Sequence, residues 1–338
     1  MRIGFNPNKD KTLEPSSYFH QVIIPVYIPN QGGYFKDSLQ ILQFCLESLF
    51  KTSHSNTFFT VVNNGSCNEV KEYLDHLYQS KKLHEVIHTV GIGKLNAVLK
   101  GFTGHNFELI TITDADVLFQ NHWQKATYEV FEAFSKAGSV ATTPNSKMVK
   151  YFTSNLIFDN LLNKKLEFTE VVHPDAMRMF AESVGTPELF NDLHLNKYLT
   201  VENNDTKAVV GSGHFVVTYR GTVFDAVKMR YSLFRLGGTS ESDLLDKPVT
   251  DKGYWRLSTL GNHTLHMGNT FEKWMEAEMD KLEDNQELFI PLSLGNIKSN
   301  VFFNWLKNSL FSRIVFRKLF WQLFLQSKGL KKEEAKRY

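Results

Sequence analysis

The alternation of strand-like and helix-like segments along the first 136 residues most constrains what this chain can fold into. Short apolar runs at 22–27, 58–62, 85–90 and 108–113 alternate with segments of helical spacing at 35–50, 69–83, 91–102 and 123–136. This order predicts an α/β fold in which a mostly parallel sheet is flanked by helices. Sheets of this kind bind ligands beyond the carboxyl ends of their strands.

Polar clusters follow three of these strands, at Tyr27, at residues 63–66 (NNGS) and at residues 114–116 (DAD). Because the strands are parallel, we expect the clusters to meet along one edge of the sheet. Asp114 and Asp116, about 7 Å apart on an extended backbone, could share a divalent cation, or one could bind metal and the other a ribose hydroxyl. The alternative is an N-cap for the following helix. Their position after a buried strand favours ligand binding.

A glycine-containing turn, residues 91–94 (GIGK), precedes the third helical segment. Glycines before a helix with a lysine in its first turn suit an anion at the helix N-terminus. The stretch fits neither the P-loop pattern nor the dinucleotide-binding glycine pattern. An ordinary turn with an exposed Lys94 is the alternative interpretation.

Together, residues 25–27 (PVY), 63–66 (NNGS), 93–96 (GKLN) and 113–116 (TDAD) resemble the ordered motifs of nucleotide-diphospho-sugar glycosyltransferases of the GT-A fold. The sequence is most similar to the inverting family 2. The resemblance covers about residues 20–150 well and 200–270 loosely. It implies a Rossmann-like GT-A domain, a nucleotide-diphosphate sugar as donor, with a UDP-sugar favoured, and Mn²⁺ or Mg²⁺ as cofactor.

The resemblance also implies roles for individual residues. Asp116 would bind the metal, and Asp114 would contact either the metal or the ribose. The departure from the family pattern is at Asn64, which stands where many members have an Asp that bonds uracil; its side-chain carbonyl can still accept a hydrogen bond. The remaining residues implied in nucleotide-sugar binding are Pro25, Val26, Tyr27, Lys94, Asn96 and Ala115.

The second half is predicted to contain a glycine-interrupted strand at 207–219, a polar loop at 237–252, regular structure at 254–260, a short strand at 263–267 and a helix at 270–283. Asp251 precedes a segment that resembles the family's region after the general base, although Thr250-Asp251 replaces the usual Glu-Asp pair. Asp251 is therefore the first candidate for the base that takes a proton from the acceptor hydroxyl. Glu241 and Asp243, in the same acidic stretch, are the alternatives.

Two histidines are further candidates by the same resemblance. His266 falls where many such enzymes place a late metal ligand, although a structural histidine is the other interpretation. His214, in the stretch GSGH, would lie on the acceptor side.

The bulk composition narrows the class of protein. A net charge of +2 over 338 residues does not call for a polyanionic partner, and no nucleic acid is expected. Two cysteines in a chain of this length indicate a reducing compartment, hence the cytoplasm. No secretory signal and no apolar run of spanning length are visible.

The C-terminal segment is basic and aromatic, with ten Lys and Arg against two Glu over residues 297–338. Its amphipathic pattern predicts helices that either bind the anionic inner face of the cell membrane or pack on the domain. We expect a glycosyltransferase domain at 1–295, with a donor half at about 20–150 and an acceptor half at about 151–295, and a separate helical segment at 296–338.

The predicted function is metal-dependent transfer of a sugar to a glycan or lipid-linked acceptor in cell-surface polysaccharide synthesis. A sugar nucleotidyltransferase and an inactive membrane-associated scaffold of the same fold are the competing hypotheses. The first is disfavoured because no cation follows the first strand before Lys36.

Overall fold

The computed structural model describes residues 3–12, 14, 16–227, 231–285, 289 and 292–338. The strands are β1 (His20–Val26), β2 (Thr57–Asn64), β3 (Glu85–Thr89), β4 (Leu109–Thr113), β5 (Val117–Phe119), β6 (Ala137–Ala141), β7 (Leu166–Glu170), β8 (Lys197–Asn203), β9 (Thr206–Val210), β10 (Val216–Arg220), β11 (Trp255–Thr259) and β12 (Thr264–His266).

The helices are α1 (Ser38–Thr52), α2 (Asn68–Gln79), α3 (Lys94–Phe102), α4 (Trp123–Ala133), α5 (Ser154–Asp159), α6 (Pro174–Ser183), α7 (Asp192–Asn196), α8 (Lys247–Asp251), α9 (Lys273–Met279), α10 (Val301–Trp305), α11 (Ser312–Val315), α12 (Lys318–Ser327) and α13 (Lys332–Arg337). Short 3₁₀ segments occur at Gly33–Phe35, Ser146–Lys150, Pro187–Leu189 and Gly221–Ala226, and π-helical segments at Ser242–Asp246 and Leu306–Phe311.

Ten strands form one sheet in the order β3-β2-β1-β4-β10-β6-β11-β9-β8-β7, and β5 pairs with β12 in a small second sheet. The four strands β3-β2-β1-β4 are mutually parallel, and β6 is parallel to β11. Strand β10 is antiparallel to both of its neighbours, β4 and β6. The pairs β11-β9, β9-β8 and β8-β7 are also antiparallel. The predicted α/β fold is confirmed. The four strands expected from the alternation in the first 136 residues are β1 to β4.

Helices cover both faces of this sheet, which explains why its strands are apolar on both sides. Along β1, Val22, Ile24 and Val26 point into a cluster with α1 and α2, whereas Ile23 points into a cluster on the opposite face. The parallel register places Val26 beside Asn63, so that β1 and β2 end together. This common end positions the polar clusters that follow the strands.

Residues 237–252 were predicted to form a loop, and this prediction is wrong from residue 242 onwards. The segment is π-helical over Ser242–Asp246 and α-helical over Lys247–Asp251. Leu244, Leu245 and Val249 are buried in a cluster with β10 residues. Burial of these three apolar side chains orders a stretch whose many polar residues are typical of a loop.

The C-terminal helices pack on the far half of the sheet. Val315, Trp321, Phe324 and Leu325 are buried in the same cluster as Leu257 of β11. In the part of the chain that the structure describes, no helix has both the length and the apolar character needed to cross a bilayer.

Candidate active site

A cavity of about 570 Å³ opens at the carboxyl ends of β1, β2 and β4. It collects almost all of the residues expected to bind a nucleotide sugar, although they are spread over 90 positions of sequence. The lining residues are Pro25, Val26, Tyr27, Ile28, Tyr34, Phe35, Ser38, Ile41, Asn64, Gly91, Gly93, Lys94, Asp114, Ala115, Asp116, Arg235, Leu236, Gly268 and Asn269. The sheet edge brings the three polar clusters together as the parallel order predicted.

Hydrogen bonds hold the turn before α3 against this edge. The Asn64 side-chain oxygen accepts from the backbone N–H of Ile92 at 2.8 Å. Gly93 has φ +93°, and a Cβ there would lie 2.9 Å from the carbonyl oxygen of Phe234. The backbone N–H of Lys94 donates to the carbonyl of Arg235 at 2.9 Å. A glycine is therefore required at position 93, because the chain is left-handed there and a second segment crosses it closely.

Asn96 lies outside the cavity lining. Its amide donates to the carbonyls of Ile92 and Ser232, at 2.7 and 2.9 Å, and its oxygen accepts from the N–H of Ser232 at 2.6 Å. Asn96 therefore links the turn before α3 to the segment that carries Arg235 through hydrogen bonds to both.

Three side chains at the edge of the cavity could hold a metal ion. One ligand atom from each of Asp114, Asp116 and His266 lies within 4.8 Å of the other two. His266 Nε2 is 3.5 Å from Asp116 Oδ2, and its Nδ1 is 3.0 Å from Ser183 Oγ. Burial raises the pKa of the Asp116 carboxyl, and Asp114 adds to that shift, while His266 and Lys94 oppose it. Two carboxylates and an imidazole form a donor set suited to a divalent cation, which would relieve the cost of two neighbouring negative charges.

Lys94 supplies a fixed positive charge beside this group. Its Nζ is 2.5 Å from Asp114 Oδ1 and 3.7 Å from Glu241 Oε1. Burial alone lowers the pKa of Lys94, but attraction to Asp114, Glu241 and Asp116 outweighs it and raises the pKa above the ordinary value. The ammonium group is therefore charged at neutral pH.

A second cavity of about 290 Å³ adjoins the first and shares Lys94 and Asp114 with it. Its other lining residues are Thr143, Asn145, Met148, Phe180, Val184, Gly213, His214, Phe215, Glu241 and His266. The metal-ligating candidates thus lie where the two cavities meet. His214, the candidate acceptor residue, and Glu241, a candidate base, both face this second cavity.

A chain of charged groups runs from the second cavity into the core. His214 Nδ1 is 3.4 Å from Glu241 Oε2, and its Nε2 is 2.9 Å from both carboxylate oxygens of Asp246. Asp246 is fully buried and pairs with the equally buried Arg256 at 2.7 Å. Arg256 also donates to the carbonyls of Tyr151 and Ser212. The histidine is thereby held between a buried carboxylate and the carboxylate of Glu241.

Asp251, the first candidate for the base, lines neither cavity, and neither does Asp243. Asp251 is the last residue of α8, and its carbonyl accepts from the Asn304 side chain of α10 at 2.8 Å. Of the three acidic candidates, Glu241 alone lines one of these two cavities, and it immediately precedes the π-helical segment Ser242–Asp246.

Sequence reasoning missed Arg235 and the Asp246–Arg256 pair. Arg235 lines the first cavity, but its place there depends on the crossing of the turn before α3 by its segment, which no local pattern reveals. Asp246 had a visible signal, since it follows two leucines inside an otherwise polar stretch. A charged residue buried in such a position needs a partner, here Arg256.

Residues 22–187 match the family model described as Glycosyl transferase family 2. The match begins within β1 and includes β2 to β4 and therefore the Asp114 to Asp116 segment, and it ends before the strand that precedes His214. No curated protein sequence matches the chain.

Several solved structures resemble the chain at low identity. The crystal structure of S. aureus TarS is 13% identical, with 74% of this chain and 36% of TarS covered and a TM-score of 0.42. This chain thus spans about a third of TarS. The crystal structure of S. aureus TarS 1–349 is 11% identical, with 92% of this chain and 81% of that chain covered and a TM-score of 0.44. The mannosyltransferase PcManGT from Pyrobaculum calidifontis, in complex with GDP-Man and Mn²⁺, is 12% identical, with 96% and 77% covered and a TM-score of 0.41.

Proposed function

We propose that this chain, which matches the glycosyl transferase family 2 model over residues 22–187, is a metal-dependent enzyme that transfers a sugar from a nucleotide-diphosphate sugar to an acceptor hydroxyl. One observation carries the proposal. The Asp114, Asp116 and His266 group lies at the junction of two cavities, one large enough for a nucleotide and one smaller. Sugar transfer requires such a junction, because the acceptor hydroxyl must reach the anomeric carbon beside the departing diphosphate.

The donor nucleotide is placed in the larger cavity. Its base would lie against Tyr27 and Asn64, and its diphosphate beside Lys94 and Arg235, whose positive charges neutralise phosphate oxygens. Asn64 uses its oxygen for Ile92, and its side-chain nitrogen has no partner among the described residues, so its N–H₂ group can donate to a ring carbonyl of a base such as uracil. A UDP-sugar is therefore the proposed donor.

The metal-binding residues in this proposal are Asp114, Asp116 and His266, and a bound Mn²⁺ or Mg²⁺ would neutralise charge on the departing diphosphate. Glu241 takes the proton of the acceptor hydroxyl, replacing Asp251 in this role because Glu241 contacts the second cavity. The acceptor oxygen then bonds to the anomeric carbon as the bond to the diphosphate oxygen breaks. Direct displacement of this kind inverts the anomeric configuration, and Lys94 stabilises the negative charge that appears.

The acceptor in this proposal is a glycan, carried on a lipid at the inner face of the cell membrane, for cell-surface polysaccharide synthesis. Its reactive hydroxyl enters the second cavity beside His214. The proposed domain division stays at 1–295 for catalysis and 296–338 for the C-terminal helices, whose excess of cations supports a location at an anionic surface.

Thermal stabilisation by ligand tests the proposal. Mn²⁺ with the matching nucleotide diphosphate at about 100 times its dissociation constant should stabilise the protein by about 2.7 kcal/mol, which for 338 residues raises the Tm by about 4 °C. Asp116→Asn should remove this shift. Asp175→Asn, which alters an exposed carboxylate on α6, should leave it intact.

Measuring kcat alongside the ligand-induced Tm shift distinguishes a loss of catalysis from a loss of ligand binding. Glu241→Gln should retain the ligand-induced shift and lower kcat by roughly 10²–10⁴-fold. The proposal fails if none of a panel of UDP-, GDP- and other nucleotide sugars shifts the Tm in the presence of metal, or if Asp116→Asn leaves the shift unchanged.

A further inference from the structure

Exposed apolar side chains are frequent along the C-terminal helices from α10 to α12. Val301 is 83% exposed, Leu319 is 65% exposed and Phe302 is 62% exposed. The full set on these helices is Val301, Phe302, Phe303, Trp305, Leu310, Ile314, Leu319, Phe320 and Leu323. Single exposed apolar residues are ordinary on protein surfaces, but a concentration of nine along 23 positions marks an interaction site.

A loop from a distant part of the sequence adds to the same surface. Leu161 and Leu162, between α5 and β7, are 42% and 94% exposed. Lys328, just after α12, donates from its Nζ to the carbonyl of Leu161 at 2.9 Å. The ring of Phe158 contacts that of Phe311, which ends the π-helical segment. We call the nine helical residues together with Leu161 and Leu162 the apolar face.

The apolar face is a fixed part of the fold. The opposite sides of its helices are buried, through Val315, Trp321, Phe324 and Leu325, in the cluster that includes Leu257 of β11. Asn304 and Asn308 also donate to the carbonyls of Asp251 and Thr250. These contacts anchor the helices on the domain, so the exposed side chains of the apolar face need no partner to be positioned.

Charge is strongly segregated toward the C-terminal segment that carries the helices of this face. Residues 297–338 contain ten of the 38 Lys and Arg but only two of the 36 Asp and Glu, so they carry a net charge of +8 and the remainder of the chain carries −6. Arg313, Arg317 and Lys318 are exposed beside Ile314, Leu319 and Phe320. Among the residues that the structure describes, these three cations have no carboxylate at ion-pair distance.

We propose that the apolar face binds an anionic lipid bilayer, with its aromatic and leucine side chains in the headgroup boundary and Arg313, Arg317 and Lys318 on lipid phosphates. A helix that exposes Phe, Trp and Leu beside unpaired cations is typical of a segment lying in a membrane interface. A second copy of the chain is a poorer occupant, because it would bring two sets of the exposed cations Arg313, Arg317 and Lys318 together. The contribution of the 161–162 loop is a feature of the tertiary structure alone.

Cosedimentation of the full chain with vesicles tests this inference without any enzymatic readout. The protein should bind phosphatidylglycerol–phosphatidylcholine vesicles, bind pure phosphatidylcholine vesicles much more weakly, and dissociate as salt is raised. The triple variant Arg313→Gln, Arg317→Gln, Lys318→Gln should lower the partition coefficient on the order of 100-fold. Leu319→Ser with Leu323→Ser should lower it at least about tenfold.

Two further variants make the test specific. Leu162→Ser should also weaken vesicle binding, whereas Tyr78→Ser, which alters a 53% exposed side chain on α2, should not. Circular dichroism and Tm measurements check that each variant is folded. Failure to bind anionic vesicles, or binding unaffected by these substitutions, overturns the proposal. So does a concentration-dependent dimer in analytical ultracentrifugation that the Leu319 and Leu323 substitutions abolish, because the face would then be an interface between copies.

Discussion

The buried pair of Asp246 and Arg256 gives the sharpest prediction about this molecule. Both side chains are fully buried, and their charged groups are 2.7 Å apart. Replacing Arg256 with Met preserves most of the side-chain length but, among the described residues, leaves the buried Asp246 carboxylate with His214 as its one remaining side-chain partner. Removing one member of such a pair costs about 3–5 kcal/mol, because an uncompensated charge remains inside the protein.

The expected change in melting temperature follows from the size of the chain. At about 2.1 cal/mol/K per residue, 338 residues have an unfolding entropy of about 0.7 kcal/mol/K, so the Tm should fall by about 4–7 °C. Urea unfolding should show a lower midpoint with an unchanged slope. Arg178→Met, which breaks an exposed ion pair with Asp175 on α6, is the matched control and should cost no more than about 0.5 kcal/mol.

The double variant Asp246→Leu, Arg256→Met distinguishes a charge effect from a packing effect. Because it removes both charges, it should be more stable than Arg256→Met alone and lie within about 2 kcal/mol of the original protein. A loss below about 1 kcal/mol for Arg256→Met would refute the reasoning. So would a double variant whose loss equals the sum of the two single losses.

Two further predictions concern acid stability and the glycine turn. Burial lowers the pKa of His54, whose ring is hydrogen-bonded to Tyr128, from 6.5 to about 4. The neutral ring therefore contributes its full stabilisation above pH 6.5, and this contribution is lost as the pH falls toward 4. Urea unfolding should show that the original protein loses stability between pH 7 and pH 5 and that His54→Gln loses about 2 kcal/mol less; an unchanged pH dependence would contradict this assignment. Gly93→Ala should destabilise the protein by about 1–3 kcal/mol and weaken nucleotide binding measured calorimetrically, because the new Cβ meets the carbonyl of Phe234; Gly104→Ala, also left-handed but with open space around it, should destabilise without affecting binding.

The alternation of strands and helices in the first 136 residues was sufficient to predict the parallel half of the sheet and the edge at which its ligand cavity opens. That inference worked because a strand buried on both faces must be apolar, and because parallel strands end on the same side. The resemblance to family 2 glycosyltransferases is confirmed by the match over residues 22–187. The second half was harder, since a short strand such as β6 (Ala-Gly-Ser-Val-Ala) carries little periodic signal.

Only the tertiary structure decided which acidic residue contacts the second cavity. Glu241, Asp243 and Asp251 lie within eleven residues and look alike in sequence. Leu244, Leu245 and Val249 anchor this segment in the core, and Glu241 lines the second cavity whereas Asp243 and Asp251 do not. Tertiary structure likewise paired Asp246 with Arg256 and brought Leu161 to the C-terminal helices. Local periodicity determines which face of each element is buried, whereas contacts between distant segments depend on how those faces pack together.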